Sequence, residues 1–352
     1  MDKVNFPPRI EFDNILRTRV TNYLKENEIK ETGTKAMQFK GLAFFLSALM
    51  FYYFLVFQTT SPWVALGLTF LLVQAQILLA FNVMHDGGHG SFSSKKWLNE
   101  LAAYSMEFLG ASNALWKQKH NSLHHTYTNI DGKDDDLDIG KLMRLSPEQE
   151  KKPWHKYQHI YAPFLYGFLS LFMFATDFSK MFKKKIGNTP LRTYTKRQLM
   201  GFLLCKVLYV SYTLIIPMMF HSPLIVLGYF LFGHFIFGLT LSIVFQLAHT
   251  VRETDFPAPN EKGDLPYSWA EHQLHTTSNF APKNWLVTFY CGGLNYQVEH
   301  HLFHKVSHVH YPKISKIVQE TCKEYNKPYN VSPSFWYALQ SHFSFLKLMG
   351  RN

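Results

Sequence analysis

Four long apolar blocks interrupt an otherwise polar chain, at residues 41–57, 63–84, 199–220 and 223–248. Each approaches or exceeds the roughly 20 helical residues that cross the hydrocarbon of a bilayer. The first two are joined by residues 58–62 and the last two by His221 and Ser222, so each pair predicts a helical hairpin. Neither link carries Lys or Arg, whereas residues 1–40, 85–198 and 249–352 hold almost all the cations. Because Lys and Arg accumulate on the cytoplasmic side of spans, both turns are expected outside and everything else inside. The pattern predicts an all-α integral membrane protein with four transmembrane helices in two hairpins. A cytoplasmic arm (1–40) precedes a membrane domain (41–352), whose helical cytoplasmic cap comprises 85–198 and 249–352.

A fifth apolar run, residues 160–178, contains Pro163 and Gly167 and leads into KMFKKK at 180–185. If it crossed the bilayer, lysine-rich segments would fall outside and His300 and His301 would face away from His85 and His89. A helix lying at the interface or packed on the bundle is therefore expected. Lys206 and His234 fall inside predicted spans, where ionisable groups are functional candidates by default. Lys206 is near one end and is expected to snorkel to the interface; His234 is expected to bond a neighbouring helix. The arm shows helical patterning from Phe12 to Leu24 and no signal-peptide pattern.

Composition adds one anomaly. Apolar residues make up 47 %, with Phe 32 and Tyr 19, and the net charge of +11 follows from topology. No basic, aromatic-interleaved motif supports a nucleic-acid partner. Cys205, Cys291 and Cys322 lie far apart and indicate neither disulfides nor thiolate metal sites. The 18 histidines stand out. Seven cluster in three stretches: His85 and His89 in MHDGGHGSF, His120, His124 and His125 in WKQKHNSLHHTYTN, and His300 and His301 in NYQVEHHLFHKVSHVHYP. The i, i+4 spacings of His85/His89 and His120/His124 place rings on one helical face. The topology puts all three stretches on one side of the membrane. Seven imidazoles exceed the needs of one ion, and without Cys the set argues against structural zinc; two borderline metal ions fit, and nitrogen ligands are compatible with iron. His155, His159, His221, His272, His275, His304, His308, His310 and His342 are read as structural or surface residues.

HDGGH, HNSLHHTYTN and QVEHH resemble the three histidine boxes of membrane fatty acid desaturases, in order and in spacing around two hairpins. The resemblance runs from the first span to about Lys316. It implies two iron ions in a non-haem diiron centre held by His85, His89, His120, His124, His125, His300 and His301. One more ligand follows the fourth span, His249 of FQLAHT, with Gln246 a candidate for contact through water. Gln297 departs from the HxxHH form of the third box and is similar to front-end desaturases, which act between an existing double bond and the carboxyl end. Its amide oxygen would ligate metal, or orient a water or a neighbouring ligand. Asp86, Glu299 and the acidic run 131–138, otherwise a solvated loop, are candidates to hold the outer ring nitrogens. The implied reaction uses O2 as co-substrate to place a double bond in a fatty acyl chain carried on coenzyme A or a lipid. No HPGG motif of a fused cytochrome b5 domain is present, so electrons are expected from a separate ferredoxin, or cytochrome b5 with its reductase. Two rivals remain: a hydroxylase with the same metal set, and a His-rich metal transporter, which should carry ligands within its spans.

Overall fold

The computed structural model describes residues 4–352; the first three residues of the expected arm lie outside the described residues. Helix α1 (Glu11–Glu26) buries Phe12, Leu16, Val20 and Leu24, an i, i+4 stripe, against the distant segment Tyr311–Glu324. Four helices are long and apolar enough to cross a membrane: Lys35–Gln58 (α2), Pro62–His89 (α3), and, further along, Lys196–Phe220 and Pro223–His249. Thr34 caps α2 by accepting from the Met37 N–H at 3.3 Å. Pro62 starts α3, where a missing N–H costs nothing. The chain is thus a helical membrane protein.

Box one begins within α3, rather than after it. The helix continues through His85–His89 and stops at Gly90, whose φ of +76° suits a glycine cap. The two glycines of HDGGH allow close packing. A Cβ on Gly87 would stand 2.6 Å from Ala102 Cβ, and one on Gly88 would stand 2.3 Å from the Trp116 ring. Helix α4 (Lys96–Phe108) and the box-two helix α5 (113–127) consequently lie directly on the α3 backbone. Both box helices widen to i→i+5 hydrogen bonding, at Ala80–Met84 just before His85 and at Gln118–His124.

The fifth apolar run is two helices, α6 (Pro153–Gly167) and α7 (Leu169–Lys183), bent by 72°. They pack on the fourth long helix. The joint is built on contact: a Cβ on Gly167 would fall 2.2 Å from the Phe235 ring. Helix α8 (Lys196–Phe220) carries Lys206, which does not snorkel. Its ammonium is buried 2.6 Å from Asp177 of α7 and 2.7 Å from the Gly110 carbonyl. A carboxylate and a carbonyl within reach replace water, so the amino group is satisfied inside the protein. Helix α9 (Pro223–His249) contacts α3, α6 and α7. The cap is completed by α10 (Trp269–Thr276), α11 (Trp285–Tyr290), α12 (Gln297–Leu302), α13 (Tyr311–Glu324) and α14 (Phe335–Arg351). Strand structure among the described residues is confined to two-residue pairs, including Asn279–Phe280 parallel to Val331–Ser332. A core of Phe81, Trp116, Phe237, Leu247 and Phe280 ties α3 and α9 to the cap.

Candidate metal centre

Eight histidines from three boxes and the end of α9 converge. The ligand atoms of His85, His89, His120 and His300 lie within 4.8 Å of one another, as do those of His124, His249 and His301. His125 belongs with His300 and His301 in a third such set, and its Nε2 is 3.2 Å from His120 Nε2. It therefore stands between the two main groups. Widened backbone geometry in α5 contributes: His120 stacks on His124 with ring centres 5.2 Å apart, yet also reaches His125 at 4.7 Å.

The outer edges of several rings are held by partners from elsewhere. His124 Nδ1 lies 3.0 Å from Asp134, His301 Nδ1 lies 2.9 Å from Gln273 Oε1, His300 Nδ1 lies 3.2 Å from the Tyr311 hydroxyl, and His249 Nδ1 lies 3.3 Å from the Thr276 carbonyl. Each of these bonds turns Nε2 inward. The Nε2 atoms of His249, His300 and His301, and both ring nitrogens of His89, are buried without any partner. A buried nitrogen lone pair left unmet is costly, and a cation within each group would satisfy it. Burial, reinforced by neighbouring rings, pushes the pKa values of His120, His125, His300 and His301 down, so these imidazoles are neutral and carry free lone pairs. For His124 burial acts in the same direction, but Asp134 and Asp136 outweigh it and raise the pKa. The residues present fit a pair of metal ions.

The acidic candidates divide. Asp134 is buried on His124, and Asp135 and Asp136 pair with Lys119 and Lys180, so this part of the run is a structured ion cluster. Asp86 is held by the Ser307 hydroxyl at 2.8 Å and lies 3.0 Å from His308, steadying box one against the tail. Glu299 meets no histidine: Asn279 and the Tyr329 hydroxyl donate to it, and burial lifts its pKa to about 7. Gln246 is engaged by the Thr250 hydroxyl at 2.5 Å. Gln297 is buried at the start of α12, with its amide nitrogen unpartnered.

Sequence reasoning missed Gln273, Thr128 and Tyr311, which orient the third box, and Asn129, which donates to the His249 carbonyl at 2.8 Å. Only Thr128 and Asn129 left a signal, as the polar tail of HNSLHHTYTN. His304, read as structural, places its ring 4.9 Å from His125 and 5.3 Å from His89, outside the metal-capable sets. His155, His221, His272 and His342 bond backbone carbonyls as expected of structural histidines. Within the spans, His234 bonds Ser170 at 2.8 Å and Tyr209 at 2.7 Å.

Fold and site together define a helical membrane protein with a buried, polyimidazole centre able to hold metal. Residues 61–333 match the fatty acid desaturase family model. The chain is 35 % identical to an acyl-lipid (8-3)-desaturase of Physcomitrium patens, over 97 % of this chain and 72 % of that protein. It is also 35 % identical to an sn-1 linoleoyl-lipid 6-desaturase of Arthrospira platensis, over 99 % and 95 % respectively. A Mortierella alpina acyl-lipid (8-3)-desaturase is 31 % identical, over 98 % and 79 %. The chain belongs to the fatty acid desaturase family and is an oxidoreductase of that kind.

Proposed function

We propose that the eight histidines hold two iron ions, one among His85, His89, His120 and His300 and the other among His124, His249 and His301, with His125 between. The convergence of ring nitrogens without partners carries this reading. Gln297 stands in the box at the position that sets it apart from HxxHH, buried with its amide nitrogen unpartnered, and we assign it an orienting or ligating role at the metal centre. Bound iron would supply the O2-dependent redox chemistry that removes two hydrogens from adjacent methylenes. O2 takes up four electrons in all, two from the C–H bonds and two from an external ferredoxin or cytochrome b5. What the protein itself does is place the chain. Two hairpins with outward turns would put the cap and its histidines on the cytoplasmic side, at the membrane surface.

The substrate is an acyl chain on a lipid or coenzyme A, desaturated near its carboxyl end in the manner of the 6- and (8-3)-desaturases it matches. A polar cleft of about 470 Å³ reaches His89 and is lined by Gly88, Ser93, Lys96, Asn99 and Lys117. A headgroup seated there would lie only a few carbons from the metals, which is what carboxyl-end counting requires. Expression in a host with defined fatty acids, followed by mass spectrometry that locates new double bonds, tests this. A new hydroxyl without a new double bond would instead establish the hydroxylase. A metal transporter is disfavoured because the ligand sets cluster at the cap-side ends of α3 and α9.

A further inference from the structure

His85 faces a narrow apolar slot, about 50 Å³, that descends between α3 and α9 past Met84, Phe81 and Leu241. A second, larger chamber of about 260 Å³ fills the far half of the bundle and is walled by Ala65, Val73, Val226 and Gly233. Leu109 and Phe237 line both. They form the partition between them.

The partition is braced by the polar residues that seemed out of place inside the spans. Tyr209 lies flat against Gly110, where a Cβ would stand 2.7 Å from its ring and where φ is +85°. The next residue back is Leu109. Through its hydroxyl, Tyr209 also bonds His234, one helical turn before Phe237. The other His234 nitrogen bonds Ser170, which lines the inner slot, while His234 itself lines the outer chamber. Tyr209 and His234 thus hold both halves of the wall in one network, whose cost of burial is offset by complete hydrogen bonding.

Building on the desaturase reading above, we infer that the outer chamber receives the methyl end of long acyl chains. Leu109 and Phe237, positioned by His234 and Tyr209, set the length at which the chain must pass from slot to chamber. Phe237 lies three to four turns up α9 from His249, about 18 Å at 1.5 Å per residue. An extended chain with C–C bonds of about 1.5 Å advances about 1.3 Å per carbon, so the wall is met roughly fourteen carbons beyond the oxidised methylenes. Shorter chains stop short of the wall. Longer ones enter the chamber, whose lining is mainly aliphatic and aromatic as such an end requires.

The test uses the full-length protein in a host fed equal amounts of sixteen-, eighteen- and twenty-carbon acids, with product ratios measured within each culture. Opening the wall by Phe237→Ala should raise the long-to-short product ratio, and filling the chamber by Ala65→Phe should lower it, each by about tenfold, since a methylene more or less in an apolar pocket discriminates on that scale. Tyr209→Phe, which removes only the hydroxyl brace, should shift the ratio in the Phe237→Ala direction by a smaller factor. Ratios within one culture are insensitive to how much protein folds. A second readout needs no turnover: an acyl chain carrying a photoreactive diazirine at its methyl end should label peptides of α3 and α9 around Ala65–Val73 and Val226–Gly233. Unmoved ratios in both Phe237→Ala and Ala65→Phe, or labelling confined to the slot or the outer surface, overturns the chamber while desaturation by the parent protein still stands. Absence of any new double bond from every acid overturns the desaturase reading on which it rests.

Discussion

The two halves of the histidine centre are built differently. His124, His249 and His301 are each fixed at Nδ1 by an acceptor from another segment, Asp134, the Thr276 carbonyl and Gln273. In the other half His85 and His120 face each other at 3.3 Å, His89 has no partner at either nitrogen, and a polar cleft opens beside it. Only His300 there is anchored, by Tyr311. Its rings are held mainly by packing, with Trp116 stacked on His120 at 4.5 Å and 5.8 Å from both His85 and His89. One half is preorganised by hydrogen bonds, and the other takes its shape from packing and is open to a polar ligand. On the diiron proposal, the clamped half would hold its ion more firmly and the open half would be the side on which substrate and O2 arrive.

Removing a ring from the clamped half gives the largest expected effect. His124→Ala and His301→Ala should each lower desaturation by more than ~100-fold, beyond the usual cost of losing an outer partner, and should reduce iron measured by mass spectrometry while membrane insertion persists. Near-normal activity in either would break the assignment. Next come the clamps. Asp134→Asn and Gln273→Leu should weaken metal binding by about 10–100-fold, and equilibrium titration with cobalt(II) reads this directly. Equal weakening by Ser93→Ala in the cleft would erase the contrast between the halves. At Gln297, replacement by Ala should cost about tenfold in metal affinity while His retains most of it; the opposite order would assign Gln297 to shaping the pocket.

The smallest effect is in the pH dependence of the metal-free protein. His120, His125, His300 and His301 have folded-state pKa values below the ordinary 6.5, through burial and then mutual repulsion. The unfolded chain therefore binds more protons below about pH 6.5, and the fold loses stability as pH falls through that value. His124 runs the other way: its raised pKa stabilises the fold at low pH and that contribution fades as pH rises. With His272 and His342, whose pKa values burial lowers to about 4, the lowered imidazoles outnumber the groups that run the other way, His124, Glu299 and Glu107, and predict a thermal midpoint that drops between about pH 7 and pH 5.5. Asp134→Asn, which removes the opposing contribution of His124, should steepen the drop.

Much of this was legible in short windows of sequence. The four apolar runs located the long helices to within a few residues, because crossing a bilayer is a matter of length and hydropathy alone. The helical spacing of His85/His89 and His120/His124 and the clustering of His125, His300 and His301 located seven members of the converging set, since such spacing is a property of a few consecutive residues, while His249 came only from the resemblance to the desaturase boxes. Composition likewise named the chemistry, imidazole without thiolate. Other features arise only when distant segments meet. Lys206 looked like a snorkelling residue until Asp177, on a helix packed against it, supplied a countercharge. The fifth apolar run reads as continuous, but Phe235 against Gly167 breaks it into two helices. Gln273 reaches His301 and Thr128 across the cap, and Tyr209 and Ser170 reach His234 across the bundle. A side chain's own chemistry states which bonds it can make, and local periodicity states which face it occupies. Which partner answers is set by how helices pack, and packing is the summed outcome of contacts that no short window contains.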